Sequence, residues 1–88
     1  MALMDWKGFR EALLGRIGEL GKLSPDSVGG YLMASGAGAK TGHLDEKTRQ
    51  LISMAVAVTT RCDGCISVHS QKAVEAGATR EEIAEALG

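Results

Sequence analysis

Two cysteines and a histidine stand close together in the chain, and their types and spacing suit either thiol redox chemistry or metal binding. They are Cys62, Cys65 and His69, and the two cysteines are the only ones among the 88 residues. On a helix that turns about 100° per residue, the three side chains lie within roughly 60° of one another. A dithiol and an imidazole therefore share one helix face, where they can cycle between thiols and a disulfide or ligate a metal ion.

The predicted position of this group at the start of a helix favours the deprotonated, reactive form of a thiol. The first turn of a helix offers unpaired N–H groups and the positive end of the dipole, both of which stabilise a thiolate. Arg61 adds to this effect, whereas Asp63 opposes it. Because His69 follows Cys65 by one turn, Cys65 is predicted to lose its proton and attack, and Cys62 to resolve the product as a disulfide.

Zinc binding is the main alternative, since thiolates and imidazole are good ligands for this metal. A structural zinc site needs four ligands. The fourth would have to be His43, Asp63, water or a partner chain, because no second C-x-x-C pair is present. A third hypothesis is an assembly or sensor domain whose cysteines report the redox state without turnover. The spacing by itself leaves all three open.

Composition and charge argue against several classes of function. Ten basic and eleven acidic residues give a net charge of -1 at pH 7, which provides no electrostatic footprint for nucleic acid or an anionic membrane. The longest apolar stretch, residues 51–58, is too short to span a bilayer, and the chain shows no secretory signal. We therefore expect a soluble, cytoplasmic protein that binds neither nucleic acid nor membrane and carries no cofactor. In that compartment, two close cysteines are more often catalytic or metal-binding than a permanent crosslink.

The elements that must position the cysteines and the histidine are all predicted to be helices. An apolar stripe that begins at Trp6 predicts a first helix, which Gly21 is expected to end. Ser24-Pro25 predicts the start of a second helix that ends by Gly42. Residues 62–76 are predicted to form the helix that carries the cysteines, with Gly77 as its C-cap.

The central helix is the one ambiguous element, because residues 52–58 alternate apolar and small side chains as a strand does. Good helix formers lead directly into this run and no second strand-like segment can pair with it, so a helix capped by Asp45 is favoured. Apolar side chains lie around much of the circumference of this helix, which predicts that it is the buried centre of the fold. Thr79 and Glu82 predict a capping box that opens the last helix. The sequence thus predicts an all-α bundle of about five helices in a single domain over residues 1–88.

Three segments of the second half follow one another in a specific order. They are LDEKTRQLI at residues 44–52, RCDGCISVH at residues 61–69 and EAGATREEIAEA at residues 75–86. They resemble the alkylhydroperoxidase D-like core of the carboxymuconolactone decarboxylase family, most strongly over residues 44–87. The resemblance implies an all-α fold completed by oligomerisation into trimers or hexamers. It also implies thiol peroxidase or disulfide oxidoreductase activity, with a hydroperoxide or disulfide as substrate and a dithiol as electron donor.

The resemblance further implies a role for each site residue. The cysteine matching Cys65 is peroxidatic, the one matching Cys62 resolves, and the histidine matching His69 relays a proton to a glutamate on the preceding helix. Decarboxylase members lack the cysteine pair, so this chain resembles the thiol members. The position of the relay glutamate is Gln50, whose amide can orient an imidazole but cannot accept a proton as a base. Proton removal is then left to His69 alone, to water, or to a carboxylate such as Glu46.

Overall fold

The computed structural model describes residues 4–88, which form five α-helices. They are α1 (Trp6–Leu23), α2 (Pro25–Thr41), α3 (Glu46–Thr60), α4 (Asp63–Glu75) and α5 (Arg80–Leu87). No strand occurs within the described residues, so the predicted all-α fold is confirmed, and the ambiguous central segment is helical as part of α3. None of these five helices is long and apolar enough to cross a membrane.

The chain divides into two compact units, of which the first ends at His43 and the second spans Leu44–Gly88. In the first unit α1 packs against α2, and in the second unit α3 packs against both α4 and α5. The candidate residues Gln50, Cys62, Cys65 and His69 all belong to the second unit. The assignment of residues 1–88 to a single domain stays a prediction.

The first helix runs beyond Gly21, where the sequence predicted its end, and stops at Leu23. Glycine weakens a helix without necessarily ending it, whereas proline disfavours the α conformation of the residue before it. Ser24 precedes Pro25 and accordingly leaves the helix, with φ −142° and ψ 76°. The second helix ends as predicted at Gly42, whose left-handed backbone (φ 71°) glycine adopts without steric cost.

Side-chain caps determine where α3 and α5 begin. The Asp45 carboxylate accepts a hydrogen bond from the Thr48 N–H at 2.8 Å, and hydrogen bonding to Thr48 lowers the pKa of Asp45. Thr79 and Glu82 form the predicted capping box, with the Thr79 N–H donating to Glu82 Oε1 at 2.9 Å and the Glu82 N–H donating to Thr79 Oγ1 at 3.1 Å. An ion pair between Lys47 and Glu82 (2.8 Å) links α3 to α5.

The buried core of the second unit is small and is formed by α3 and α4. Its buried side chains are Gln50, Met54, Ala57, Ser67 and Ala73. The helix predicted to be the buried centre, α3, supplies three of these five residues and packs against both α4 and α5. It is nevertheless only partly buried, because Ile52, Val56 and Val58 are 50%, 56% and 44% exposed. Helical periodicity places Ile52 and Val56 on the side of α3 opposite the buried residues. The packing of α4 and α5 therefore leaves an apolar face of α3 uncovered within this unit.

Candidate functional site

The two cysteines lie at the start of α4, where they form the disulfide Cys62–Cys65. A tight connection from α3 brings them there, since Arg61 caps α3 in a left-handed conformation with φ 58°. The Cys62 N–H donates to the Ala57 carbonyl at 3.0 Å and ties the start of the motif to the last turn of α3. The Cα atoms of the two cysteines are 5.2 Å apart, a separation typical of disulfides.

Cys62 is the N-cap of α4 and not a residue of its first turn, so the helix predicted over residues 62–76 is Asp63–Glu75. The reason is its extended backbone (φ −94°, ψ 96°), which is not helical. As an N-cap, Cys62 accepts a hydrogen bond on its Sγ from the Cys65 N–H at 3.2 Å. The same N–H and the dipole of α4 favour a thiolate at Cys62 once the disulfide is reduced.

The imidazole of His69 contacts a side chain of the neighbouring helix. Its Nδ1 lies 2.8 Å from Oε1 of Gln50, which belongs to α3 and precedes it by 19 residues. Gln50 is only 8% exposed, so this hydrogen bond is largely shielded from water. Cys65 and His69 are one turn apart on α4, and this spacing places them on one helix face. The four candidate residues thus form two pairs. A disulfide links Cys62 to Cys65, and a hydrogen bond links Gln50 to His69. Helix α4 connects the two pairs, because Cys65 and His69 both belong to it.

Gln50 continues the hydrogen-bonded chain toward the start of α3. Its Nε2 donates to Oε1 of Glu46 at 2.8 Å, and the other carboxylate oxygen accepts from Nη2 of Arg49 at 2.6 Å. The Arg49 guanidinium also donates to the carbonyl of Leu44. Hydrogen bonds from Arg49 and, second, from Gln50 lower the pKa of Glu46, so this carboxylate is ionised at neutral pH. A continuous chain therefore runs from the imidazole of His69 through the Gln50 amide to an ionised carboxylate.

Two residues that the sequence did not single out act on this site, and a third is buried beside it on α4. Arg49 follows Glu46 by three residues, a spacing at which opposite charges on a helix meet, so its signal was present in the sequence. Lys72 follows His69 by the same spacing and acts on it electrostatically. Ser67 is completely buried and its hydroxyl donates to a carbonyl of its own helix at 2.8 Å, which no sequence pattern indicated.

The pKa of His69 lies below the 6.5 of an unperturbed histidine. Burial disfavours the charged imidazolium, and repulsion from the Lys72 ammonium adds to this effect. His69 is therefore neutral at pH 7 and able to accept a proton. Since the unfolded chain binds this proton at a higher pH than the folded chain does, His69 lowers stability as the pH falls through 6.5 toward its folded pKa.

Replacing Lys72 by glutamine is expected to raise the pKa of His69, because the repulsion disappears while the burial of the ring remains. NMR titration of the imidazole protons measures this pKa, and the variant His43→Gln assigns the signals because the chain has only two histidines. Lys47→Gln is the matched control, since Lys47 pairs with Glu82. A wild-type pKa above 6.5, or equal shifts in both lysine variants, would contradict the explanation.

The donors of the zinc alternative are not assembled in this disulfide form. Within residues 4–88, no group of three or more His, Cys, Asp or Glu side chains is arranged to hold a metal ion. Both sulfurs belong to the disulfide, which removes the thiolates that zinc requires. Of the two proposed fourth ligands in the chain, His43 is exposed at the end of the first unit, and Asp63 is exposed in the first turn of α4.

Comparison with known proteins bears on the whole second unit. The sequence model of the carboxymuconolactone decarboxylase family matches residues 26–88. An uncharacterized protein of Haemophilus influenzae is 48% identical over 69 residues, which cover 78% of this chain and 61% of that protein. "Uncharacterized protein 4 in cox locus" of Paracoccus denitrificans is 38% identical over 71 residues, or 81% of this chain and 64% of that protein. The chain thus spans somewhat less than two thirds of the length of these curated relatives.

Proposed function

Because the chain belongs to the carboxymuconolactone decarboxylase family, we propose that it is a dithiol oxidoreductase that reduces hydroperoxides with Cys65 and Cys62. The observation that carries this proposal is the Cys62–Cys65 disulfide at the N-terminus of the helix that also bears His69. Such a position lowers the pKa of a thiol, and a neutral imidazole one turn further along can accept the proton that the thiol releases.

The proposed cycle begins when His69 takes the proton of the Cys65 thiol. The thiolate attacks one oxygen of the hydroperoxide, the O–O bond breaks, and the sulfur is oxidised to a sulfenic acid. The alkoxide leaves as an alcohol with the proton that His69 returns. The Cys62 thiol then displaces the hydroxyl group of the sulfenic acid as water and forms the disulfide. One hydroperoxide and two thiols are thereby converted to one alcohol, one water and one disulfide.

An external dithiol returns the pair to its reduced form. Its thiolate attacks one sulfur of the disulfide, and the other sulfur leaves more readily when its thiol has a lower pKa. The Cys65 N–H donates to the sulfur of Cys62 at 3.2 Å, so Cys62 is the better leaving group and attack on Cys65 is favoured. The second thiol of the donor then displaces Cys65 from the mixed disulfide. Both cysteines end reduced and the donor ends as a disulfide.

A disulfide is the second candidate substrate, and Gln50 is the observation that favours it. The peroxidases that the chain resembles relay a proton from the histidine to a glutamate, whereas the residue that contacts His69 at 2.8 Å here is an amide that cannot accept a proton. Attack of a thiolate on a disulfide requires no such relay. A redox sensor without turnover is the third hypothesis, because oxidation of the pair requires no catalytic cycle.

The test is consumption of cumene hydroperoxide by reduced, metal-stripped protein supplied with dithiothreitol. Protein whose thiols are alkylated with iodoacetamide is the control. Many hydroperoxides reduced per chain support the peroxidase proposal, whereas a single equivalent indicates a sensor. Reduction of a small disulfide with no consumption of hydroperoxide would favour the second candidate substrate over the first.

We further propose that the protein assembles as a homo-oligomer through the uncovered face of α3. Ile52 and Val56, which define this face, are 50% and 56% exposed and lie one turn apart. Among the described residues only Met54, Ala57 and Ala73 are buried apolar side chains, which is a small core for a chain of 88 residues. A second copy of the chain that covers this face would supply the missing apolar burial, in line with the oligomers that the family resemblance implies.

A further inference from the structure

The Gln50 side chain has two chemically different ends, and each has a defined partner. Its Oε1 lies 2.8 Å from Nδ1 of His69, and its Nε2 lies 2.8 Å from Oε1 of Glu46. Because the residue is only 8% exposed, water has little access to compete for either end. The orientation of this one amide therefore decides which nitrogen of His69 carries the proton.

Glu46 determines that orientation. An ionised carboxylate can only accept hydrogen bonds, so the NH2 group of Gln50 must face it. Arg49 donates to the second carboxylate oxygen at 2.6 Å, which favours the ionised form of Glu46. The carbonyl oxygen of Gln50 is consequently the end that faces His69. Since a carbonyl oxygen only accepts, Nδ1 of His69 must be a donor and carry the proton.

We propose that Glu46 and Gln50 are positioning residues that keep the neutral His69 in its Nδ1–H tautomer and leave Nε2 as the nitrogen that takes up a proton. Free neutral histidine favours the opposite tautomer, with the proton on Nε2, so the two side chains impose the less common form. The tautomer follows from the contacts alone. Its catalytic consequence rests on the proposed function, in which Nε2 accepts the proton of Cys65.

The neutral amide of Gln50 orients His69 without placing a negative charge next to the imidazole. A carboxylate at position 50 would contact the ring directly and stabilise the imidazolium ion. In this chain the negative charge lies one turn earlier, on Glu46, and the neutral amide of Gln50 separates it from His69. The arrangement is the one by which outer hydrogen bonds fix a histidine tautomer in other sites. It therefore favours a neutral base, in agreement with the lowered pKa of His69.

The first experiment determines the tautomer of His69 in the oxidised wild-type protein. Long-range ¹H–¹⁵N correlation spectra of the imidazole ring at neutral pH distinguish a protonated ring nitrogen from an unprotonated one, and His43→Gln assigns the signals. We expect a protonated Nδ1 and an unprotonated Nε2. A wild-type ring protonated on Nε2 overturns the proposal, and this result depends on no site variant.

The second experiment uses Glu46→Lys to replace the hydrogen-bond acceptor at position 46 by a donor. A lysine at this position can only donate, so Gln50 is expected to turn its oxygen toward the lysine and its NH2 group toward Nδ1, which must then accept. The ring should therefore carry its proton on Nε2. Glu81→Lys makes the same charge change at an exposed position in the first turn of α5 and should preserve the Nδ1–H form. A folded Glu46→Lys protein that keeps the Nδ1–H form overturns the proposal.

Peroxide consumption separates this inference from the proposed function. If the protein is a peroxidase, Glu46→Lys should lower kcat/KM by about a hundredfold, the low end of the contribution of a general base, while Glu81→Lys should not. An inverted tautomer with unchanged kcat/KM overturns Nε2 as the base and leaves the peroxidase proposal intact. A wild-type protein with the Nδ1–H form but no peroxide consumption supports the tautomer assignment and contradicts the proposed function.

Discussion

Replacing Cys65 by serine is expected to lower the rate of peroxide consumption at least about a thousandfold, because the nucleophile of the cycle is lost. A serine hydroxyl has a far higher pKa than a thiol, so the neutral imidazole of His69 cannot generate the corresponding anion in useful amounts. The measurement is the initial rate of cumene hydroperoxide reduction with excess dithiothreitol, over the background of buffer alone.

Cys62→Ser is the matched control and should fail at a different step. Cys65 keeps His69 one turn away in this variant, so one equivalent of hydroperoxide should still oxidise it in the absence of added thiol. The sulfenic acid then has no resolving thiol and accumulates, and dimedone followed by mass spectrometry detects it on Cys65. A dimedone adduct on Cys62 in the Cys65→Ser protein, with none in the Cys62→Ser protein, would reverse the two roles.

Replacing Val56 by glutamate is expected to dissociate the proposed homo-oligomer. Val56 is 56% exposed and helical periodicity places it opposite the buried face of α3, so the substitution should not disturb the core of the second unit. An ionised carboxylate buried in an apolar interface without a partner costs several kcal/mol. A loss of about 3 kcal/mol weakens assembly by more than a hundredfold. Sedimentation velocity over a range of protein concentrations measures the change.

Gln71→Glu is the control for the oligomer experiment, because it adds the same charge at an exposed position on α4 that is already polar. This variant should assemble like the wild type. A wild-type protein that sediments as a monomer at every concentration contradicts the proposed assembly. Equal dissociation by Gln71→Glu would show that added charge, and not the uncovered face of α3, is responsible.

The helical elements could be predicted from the sequence wherever their ends depend on local chemistry. The cap at Asp45 and the capping box of Thr79 and Glu82 involve residues three apart, so their hydrogen bonds follow from the spacing. The family that the three segments of the second half indicated is also confirmed. The end of the first helix was predicted at Gly21 and lies at Leu23, because the constraint that ends it comes from the proline that follows and not from the glycine.

Burial could not be predicted in the same way. The apolar residues of α3 look alike in the sequence, yet Met54 is 5% exposed and Val56 is 56% exposed. Which side of a helix is covered depends on where its neighbours pack, and α4 and α5 cover only part of α3 in this unit. The apolar composition of α3 therefore overestimated its burial, because composition does not show which side of a helix its neighbours cover.

The candidate site shows the same division. Cys62, Cys65 and His69 fall on one short segment, so helical spacing was enough to associate them. Gln50 is 19 residues from His69, and only the packing of α3 against α4 brings its amide to 2.8 Å from the imidazole. The contact of the same amide with Glu46 lies within α3 at a spacing of four residues, so the sequence already contained it, and only the contact with His69 joins two helices. Contacts within a helix follow from residue spacing, whereas contacts between helices exist only once the chain has packed.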